Sequence, residues 1–312
     1  MPARILHGTE IRDQIMQELA GELEQLRARG VQPGLTVILV GQDPASEIYT
    51  RNKVRTCLSL GIASERLVLP DTTATEDLLA RIEDLNACDE VDGILVQLPL
   101  PAHIDTKKVL LAVDPRKDVD GIHPVNMGNL VTGRPGLVAC TPSGILEILK
   151  RSDIPIEGQR AVIIGRSDIV GKPVALLFMH ANATVTICHS RTRDLPGVCR
   201  EADILIAALG KAGMVTSDFV KTGATVIDVG TSTLTTREDV ERFFPSNAKR
   251  LATFQKKGSV LIGDVDPVSV TPVAGALTPV PGGVGPLTIG MLMVNTVRAA
   301  RLRRGAHVGP TT

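Results

Sequence analysis

The sequence predicts an α/β protein of two domains, and three observations carry this. The chain has 312 residues, enough for two ordinary cores. Short apolar runs alternate with segments of helical period, the strand–helix–strand order of a parallel sheet covered by helices. A stretch rich in Gly and Pro, from Asp120 to Pro142, has neither period and separates two such runs.

The elements follow in order. Residues 9–29 put Ile11, Ile15, Leu19, Leu23 and Leu26 on one face and stop at Gly30, which predicts an amphipathic helix. LTVILV (35–40) reads as a buried strand, and residues 45–60 as a second helix ending at Gly61. LVLP, TEDLLARIEDLN and GILVQLP (93–99) repeat strand, helix and strand, with helix expected again over 104–112. The Asp120–Pro142 stretch reads as a long loop, and loops of that length are usually functional. The helix SGILEILKRS opens the second run. AVIIG (161–165), ATVTICHS, ADILIAAL and TVIDVG read as strands, with VGKPVALLFMH as a helix, so a second parallel sheet is expected over 144–275.

Residues 235–258 fit no place in that alternation and are expected to form an inserted helical excursion or a flap. Pro286 opens a long final helix, where its missing N–H costs nothing. Arg298, Arg301, Arg303 and Arg304 at its end read as a solvated terminus opposing the helix dipole. The expected domains are 1–143, completed by a returning C-terminal helix over 284–304, and 144–283, with 305–312 as a flexible tail.

Composition narrows the function classes. Net charge is zero, so nothing favours nucleic acid or an anionic membrane as a partner. One Tyr and no Trp leave almost no stacking platform for bases. No stretch approaches the roughly 18 apolar residues of a membrane span. Cys57, Cys88, Cys140, Cys188 and Cys199 are odd in number and lack CxxC spacing, which predicts free thiols. With an N-terminus that runs straight into a charged helix, this predicts a cytoplasmic protein. The six histidines form no HxxH or HExxH pattern, and GxxxxGK[ST] is absent, so neither a metal site nor P-loop chemistry is expected. His123 reads as a loop anchor.

The run AVIIGRSDIVGKPVALLF carries the dinucleotide reading. A buried strand ends at Gly165, which allows a sharp turn, and Gly171 lets the following helix approach the strand. The helix N-terminus would face a pyrophosphate. Ser167 stands where GxGxxG has its middle glycine, so an ordinary βαβ turn would look similar. The four surrounding strand signals favour the binding reading and a Rossmann-like domain. The next strand ends in ICHSRTR, with Ser190, Arg191 and Arg193 where an NAD-preferring domain would place an acid. Together with Arg166, these guanidinium groups suit a 2′-phosphate, which favours NADP over NAD.

Four further polar residues are candidates for chemistry. Tyr49 and Lys53 lie four apart on a predicted helix and share a face. Gln97 falls at the carboxyl end of a strand, where open sheets bind ligands. Asp120 opens the long loop. These groups were expected to converge on a cleft between the domains.

At these residues the sequence resembles the bifunctional methylenetetrahydrofolate dehydrogenase/methenyltetrahydrofolate cyclohydrolase family. The matching blocks include VGQDPASEIYTRNKVRTCLSLGI, DGILVQLPLP, KDVDGIHPVNMGNL, CTPSGILEIL, VIIGRSDIVGKPVALL, ADILIAALGKAGMV, GDVDP and TPVPGGVGPLTIGMLMVNT, and they cover about 31–296. The resemblance implies an N-terminal catalytic domain and a Rossmann-like NADP-binding domain. It implies oxidation of 5,10-methylenetetrahydrofolate to the methenyl form, then hydrolysis to 10-formyltetrahydrofolate, with tetrahydrofolate derivatives as the small-molecule partners. It places the catalytic lysine on Lys53, the pterin-stacking tyrosine on Tyr49, a glutamine beside the lysine on Gln97 and the pterin-binding aspartate on Asp120. The cofactor residues fall on Gly165, Arg166, Ser167, Ser190, Arg191 and Thr231, and the TPVPGGVGP stretch lines the cleft near Pro279, Gly282 and Gly283. A homodimer through the second domain is also implied, with the apolar strands ATVTIC and ADILIAAL as edges to cover.

Three departures from the family pattern stand out. Asp168 replaces a common Asn. Thr231 and Ser232 replace the usual Ile and Asn after VIDVG. Residues 235–258 exceed the compact pattern. A dehydrogenase for another small acid, a monofunctional relative that lost one activity and a non-enzymatic binding module are the competing readings. Lys53 and Gln97 argue against loss of the cyclohydrolase, and cofactor and folate assays separate the other two.

Overall fold

The computed structural model describes residues 2–305. They divide into two compact units, one formed by residues 13–140 and 289–305, the other by residues 2–12 and 141–288. The last residues of the expected tail, 306–312, lie outside the described residues.

A two-residue strand opens the chain. β1 (Arg4–Ile5) pairs in parallel with Ala276 and Leu277, so the first residues belong with the second unit and not with the expected 1–143 domain. A strand this short has no period to detect.

The first unit follows. α1 (Gly8–Ala28) buries the predicted stripe, Ile11, Ile15, Leu19, Leu23 and Leu26. β2 (Gly34–Val40) is buried at every position, as a central parallel strand requires. α2 (Pro44–Leu60) starts at Asp43, whose carboxylate accepts the Ser46 N–H at 2.7 Å, and ends on Gly61 in the left-handed region. β3 (Ala63–Leu69), α3 (Thr75–Ala87) and β4 (Gly93–Val96) complete a three-stranded parallel sheet of order β3-β2-β4. α4 (Thr106–Ala112) packs Val109 into the same core.

The Asp120–Pro142 stretch is not all loop. Pro124–Val131 is a helix, α5, with Pro at its first position. Its cap is His123, whose Nδ1 accepts the Val125 N–H at 3.1 Å. Gly and Pro in the flanks hid a helix of eight residues from the periodicity.

The second unit begins in α6 (Cys140–Arg151). β5 (Arg160–Ile164), α7 (Gly171–His180), β6 (Thr184–Cys188), α8 (Leu195–Cys199), β7 (Ile204–Ala207) and β8 (Thr225–Asp228) alternate as predicted. The segment that fitted no alternation forms an antiparallel pair carrying two helices. β9 (Ser232–Leu234) leads into α9 (Arg237–Phe243) and α10 (Ala248–Lys257), and β10 (Val260–Ile262) returns against β9. It has its own core of Leu234, Val240, Phe243, Val260 and Ile262. After α11 (Pro267–Val270), β11 (Ala276–Leu277) completes a six-stranded sheet of order β1-β11-β8-β7-β5-β6. β7 is therefore internal, and only β6 of the two expected edge strands is an edge.

The chain ends in α12 (Val284–Arg303), whose residues from Ile289 onward belong to the first unit. Of the four arginines at its end Arg298 is exposed, but Arg301, Arg303 and Arg304 are not a solvated terminus. Asp92, fully buried, accepts from Arg303 at 2.5 Å and from Arg304 at 2.8 Å, and also from the backbone N–H of Gly34. Arg301 pairs with Glu22 of α1 at 3.0 Å. These long-range partners fasten the last helix to the first unit, information that lies outside any local window. Among the described residues, no helix is long and apolar enough to cross a membrane.

Candidate functional site

In the first unit, α2 sets Tyr49 and Lys53 one turn apart. The Tyr49 side chain is 43% exposed, whereas Lys53 is half-buried. The Lys53 Nζ donates to Gln97 Oε1 at 2.9 Å. Gln97 directly follows β4, and its own N–H donates to the Ile38 carbonyl at 2.9 Å, extending the sheet by one bond. Its Nε2 donates to the Leu98 carbonyl at 2.7 Å, which turns the amide oxygen toward the lysine. Lys53 and Gln97 thus reach one another from adjacent parallel β–α units, a pairing that strand order alone brings about.

Asp120 and Cys140 complete the group. Burial holds the Lys53 ammonium below its ordinary pKa, against the pull of the Asp120 carboxylate. Burial raises the Asp120 carboxyl, opposed by the Lys53 charge. The two effects share one cause, partial withdrawal from water, and each charge favours the other. The Cys140 thiol donates to the Val119 carbonyl at 3.2 Å and is pushed well above its usual range by burial, so it stays neutral. Asn295 of α12 donates to the carbonyls of Val119 and Val138, both at 2.8 Å, and so fixes the backbone just before Asp120 and Cys140. Asp118 accepts from the His123 N–H and Asn126 Nδ2, both at 2.8 Å, and ties down the start of α5. Sequence reasoning missed Cys140 and Asn295 as neighbours of this site. Their blocks, CTPSG and MLMVNT, carried the only signal, and no spacing rule joins them.

In the second unit, β5 runs into the predicted turn. Gly165 has φ +137°, and a Cβ there would strike the Ala208 carbonyl beside β7. A Cβ on Gly171 would strike the Gly165 carbonyl, so the second glycine lets α7 close onto the strand. Ser167 Oγ accepts from the backbone N–H groups of Val170 and Gly171, at 3.2 and 3.4 Å. The departure at Asp168 is answered locally, since its carboxylate pairs with Lys172 one turn on. Ser190, Arg191 and Arg166 are exposed where β6 and β5 end, and no carboxylate stands at the end of β6. That donor set fits a dinucleotide with an additional phosphate. Thr231 is exposed just before β9.

Two buried aspartates organise the loops at this end of the sheet. Asp228 closes β8, and its Oδ1 accepts from the N–H groups of Gly230 and Asp264, at 3.0 and 2.8 Å. Its Oδ2 accepts from Val265 N at 3.0 Å. Burial nevertheless pushes its carboxyl up to about 7. Asp264 in turn accepts from the backbone of Leu209 at 2.5 Å, Gly210 at 2.9 Å and Lys211 at 2.7 Å. The Asp228 N–H donates to Thr278 Oγ1 at 2.8 Å, which anchors the start of the loop carrying Pro279, Gly282 and Gly283. A Cβ on the buried Gly283 would meet the Pro279 carbonyl at 2.6 Å, so this loop folds tightly on itself.

Comparison with known proteins matches both units. The tetrahydrofolate dehydrogenase/cyclohydrolase catalytic domain matches residues 6–120, and the NAD(P)-binding domain of the same family matches residues 139–304. Bifunctional protein FolD of Koribacter versatilis is 62% identical over 308 residues, covering 99% of this chain and 100% of the relative. Among solved structures, the bifunctional FolD of Campylobacter jejuni is 41% identical with a TM-score of 0.87, covering 96% of this chain and 99% of its own. The Trypanosoma brucei enzyme, solved with NADP and an inhibitor, is 36% identical with a TM-score of 0.87, covering 99% of this chain and 100% of its own. With both domain descriptions in their order along the chain, and relatives matched over their full length, this chain belongs to the tetrahydrofolate dehydrogenase/cyclohydrolase family.

Proposed function

We propose that this chain carries out both reactions of its family: NADP-dependent oxidation of 5,10-methylenetetrahydrofolate, then hydrolysis of the methenyl product to 10-formyltetrahydrofolate. The observation that carries the second activity is the Lys53–Gln97 bond beside Asp120. Hydride transfer needs no strong acid or base, only a methylene carbon held against the acceptor. Bound NADP supplies that hydride acceptor. Gly165, Arg166, Ser167, Ser190, Arg191 and Thr231 are the residues we assign to holding it.

Tyr49 would cover one face of the pterin, and Asp120 would pair with its amide and amino N–H donors. Pro279, Gly282 and Gly283 would present backbone to the folate. Hydrolysis places heavier demands on the chain. Water adds to the methenyl carbon and must lose a proton. Lys53, with its pKa lowered by burial, would accept that proton and return it to N5 as the carbon–N5 bond breaks. The second proton of the water is released as the formyl group forms on N10. Gln97 would hold the Nζ in place between the two transfers.

The test is an assay of the purified chain with methylenetetrahydrofolate and either NADP or NAD. Reduced cofactor and a transient methenyl absorbance that decays to the formyl product are expected, faster with NADP. Absence of folate-dependent cofactor reduction would overturn the assignment.

A homodimer through the second unit extends this reading. Its support is the edge strand β6, where Ile187 is 42% exposed. Sedimentation equilibrium checks it, and a mass of 33.1 kDa at micromolar concentration would refute it. The five free cysteines, four of them buried, support a place in the reducing cytoplasm.

A further inference from the structure

The segment between β9 and β10 was the part of the sequence with no role. It reaches the Pro279–Gly283 loop through one side chain. Asn247 caps α10 by accepting the Arg250 N–H at 3.1 Å, which sets Arg250 in the first turn of that helix. The Arg250 guanidinium lies 4.3 Å over the Phe244 ring. It donates through Nη1 to the Leu261 carbonyl at 3.0 Å and through Nη2 to the Val280 carbonyl. Phe244, Asn247 and Arg250 line a cavity of about 160 Å³ together with Asp228, Pro279 and Val280.

The loop is held at three points. Its entry is fixed where Thr278 accepts the Asp228 N–H. Its exit is fixed where the Gly282 carbonyl accepts from Thr9 N at 3.2 Å. Between them, the Val280 carbonyl is held by Arg250. α10 packs Leu251 and Phe254 against the segment's own core, while Arg250 reaches past that core to the loop. A guanidinium has five donors in a rigid fork, so it can grip two carbonyls, one on β10 and one in the loop, while stacking on a ring.

We propose that Arg250 is a positioning residue for the folate-binding loop, and that the helical segment 235–258 serves to place it. The proposal rests on the reading that Pro279–Gly283 contacts the folate. Loss of the grip frees the middle of the loop while its two ends stay anchored. The effect therefore falls on folate binding and leaves dinucleotide binding alone.

The experiment compares Arg250→Met, Arg250→Lys and Pro279→Ala in the cofactor-free cyclohydrolase assay, with NADP affinity and Tm measured alongside. Arg250→Met is expected to raise the KM for methenyltetrahydrofolate about tenfold, the loss of one charge-assisted bond. Its kcat should stay within about threefold, a margin far smaller than the loss of a proton-transfer group would give. NADP affinity should be unchanged. Arg250→Lys, whose ammonium can still reach one carbonyl, should recover part of the KM. Pro279→Ala, a direct change in the loop, should also raise it. An unchanged KM in Arg250→Met beside a raised KM in Pro279→Ala overturns the role of Arg250 alone. An unchanged KM in Pro279→Ala overturns the reading of the loop, and the proposal with it. A KM rise matched by equal loss of NADP affinity and a fall in Tm, with no rescue by lysine, reduces Arg250 to a stability contact and refutes positioning.

Discussion

Replacing Asp264 by Asn tests the buried carboxylate that organises the second unit. The side chain is fully buried, and its two oxygens serve three backbone donors, Leu209 and Gly210 on one and Lys211 on the other. An amide has one acceptor oxygen. The better orientation keeps that oxygen on Leu209 and Gly210, which turns the amide NH₂ toward the Lys211 N–H, donor against donor. One charge-assisted bond is lost and one N–H is stranded, a cost of about 3 kcal/mol. The two bonds that survive lose their charge assistance and weaken as well. For a unit of this size each kcal/mol lowers Tm by roughly 2–4 °C, so a fall of about 6–12 °C is expected. Asp264→Ala strands all three donors and should fall further. Differential scanning calorimetry on the intact variants measures both. A Tm within about 2 °C of the parent for Asn, roughly three- to sixfold less than a stranded buried donor should cost, would refute the accounting. So would equal losses for Asn and Ala.

Other outcomes follow from the same geometry. Lys53→Met should lower cyclohydrolase kcat by about 10²–10⁴-fold, the usual contribution of a proton-transfer group, while hydride transfer remains measurable. Equal loss of both, with folate affinity intact, would sink the division of roles. Because burial lowers the Lys53 pKa, the rate of hydrolysis should rise with pH on a limb below the ordinary lysine range, as the amine loses its proton. Arg250→Lys should keep that limb and Lys53→Arg should abolish it, as a pH–rate profile would show. Arg166→Ala and Ser190→Ala should weaken NADP more than NAD in initial-rate measurements, and an unchanged preference would count against the phosphate assignment. Asp228 is held at about 7 when folded, above its unfolded value near 3.9, so the folded state binds its proton more tightly. Its contribution to stability is full below about pH 4 and is lost as pH rises through about 7. Asp228→Asn should lack that loss, and identical Tm–pH slopes for the two proteins across this window would contradict it.

What the sequence made legible was whatever repeats at short range. The stripe of α1, the buried run of β2 and the stop at Gly61 each leave a local period or a glycine, and the helix that pairs Tyr49 with Lys53 follows from them. Gly171 was readable for the same reason, since it answers a close approach to Gly165 within its own βαβ turn. Gly165 was readable because it ends a buried strand, although the atom it makes room for, the Ala208 carbonyl, lies beyond β7. Gln97 was readable as a strand end, but its grip on Lys53 required the order of the strands. The elements that escaped are short or distant. β1 has two residues, and α5 is a helix embedded among Gly and Pro. Asp92 finds its arginines 211 positions away, so a basic helix end looked like an exposed one. Asp228 and Asp264 bind only backbone N–H groups, which every residue but proline possesses, so no partner type marks them in the sequence. Arg250 escaped for a related reason, its partners being two carbonyls and a ring.

The pairing of β1 with β11 bears on how this chain is made. Arg4 is synthesised long before its strand partner Ala276. Asp92 likewise waits for Arg303 and Arg304. Neither unit can therefore close vectorially behind the growing end, because each waits for a strand or helix encoded more than 200 residues further on. Such contacts between distant residues slow folding, because the connecting chain must be gathered before they form. Expressing residues 13–140 alone would yield a buried aspartate without its cations, and residues 141–288 alone a sheet without its edge strand.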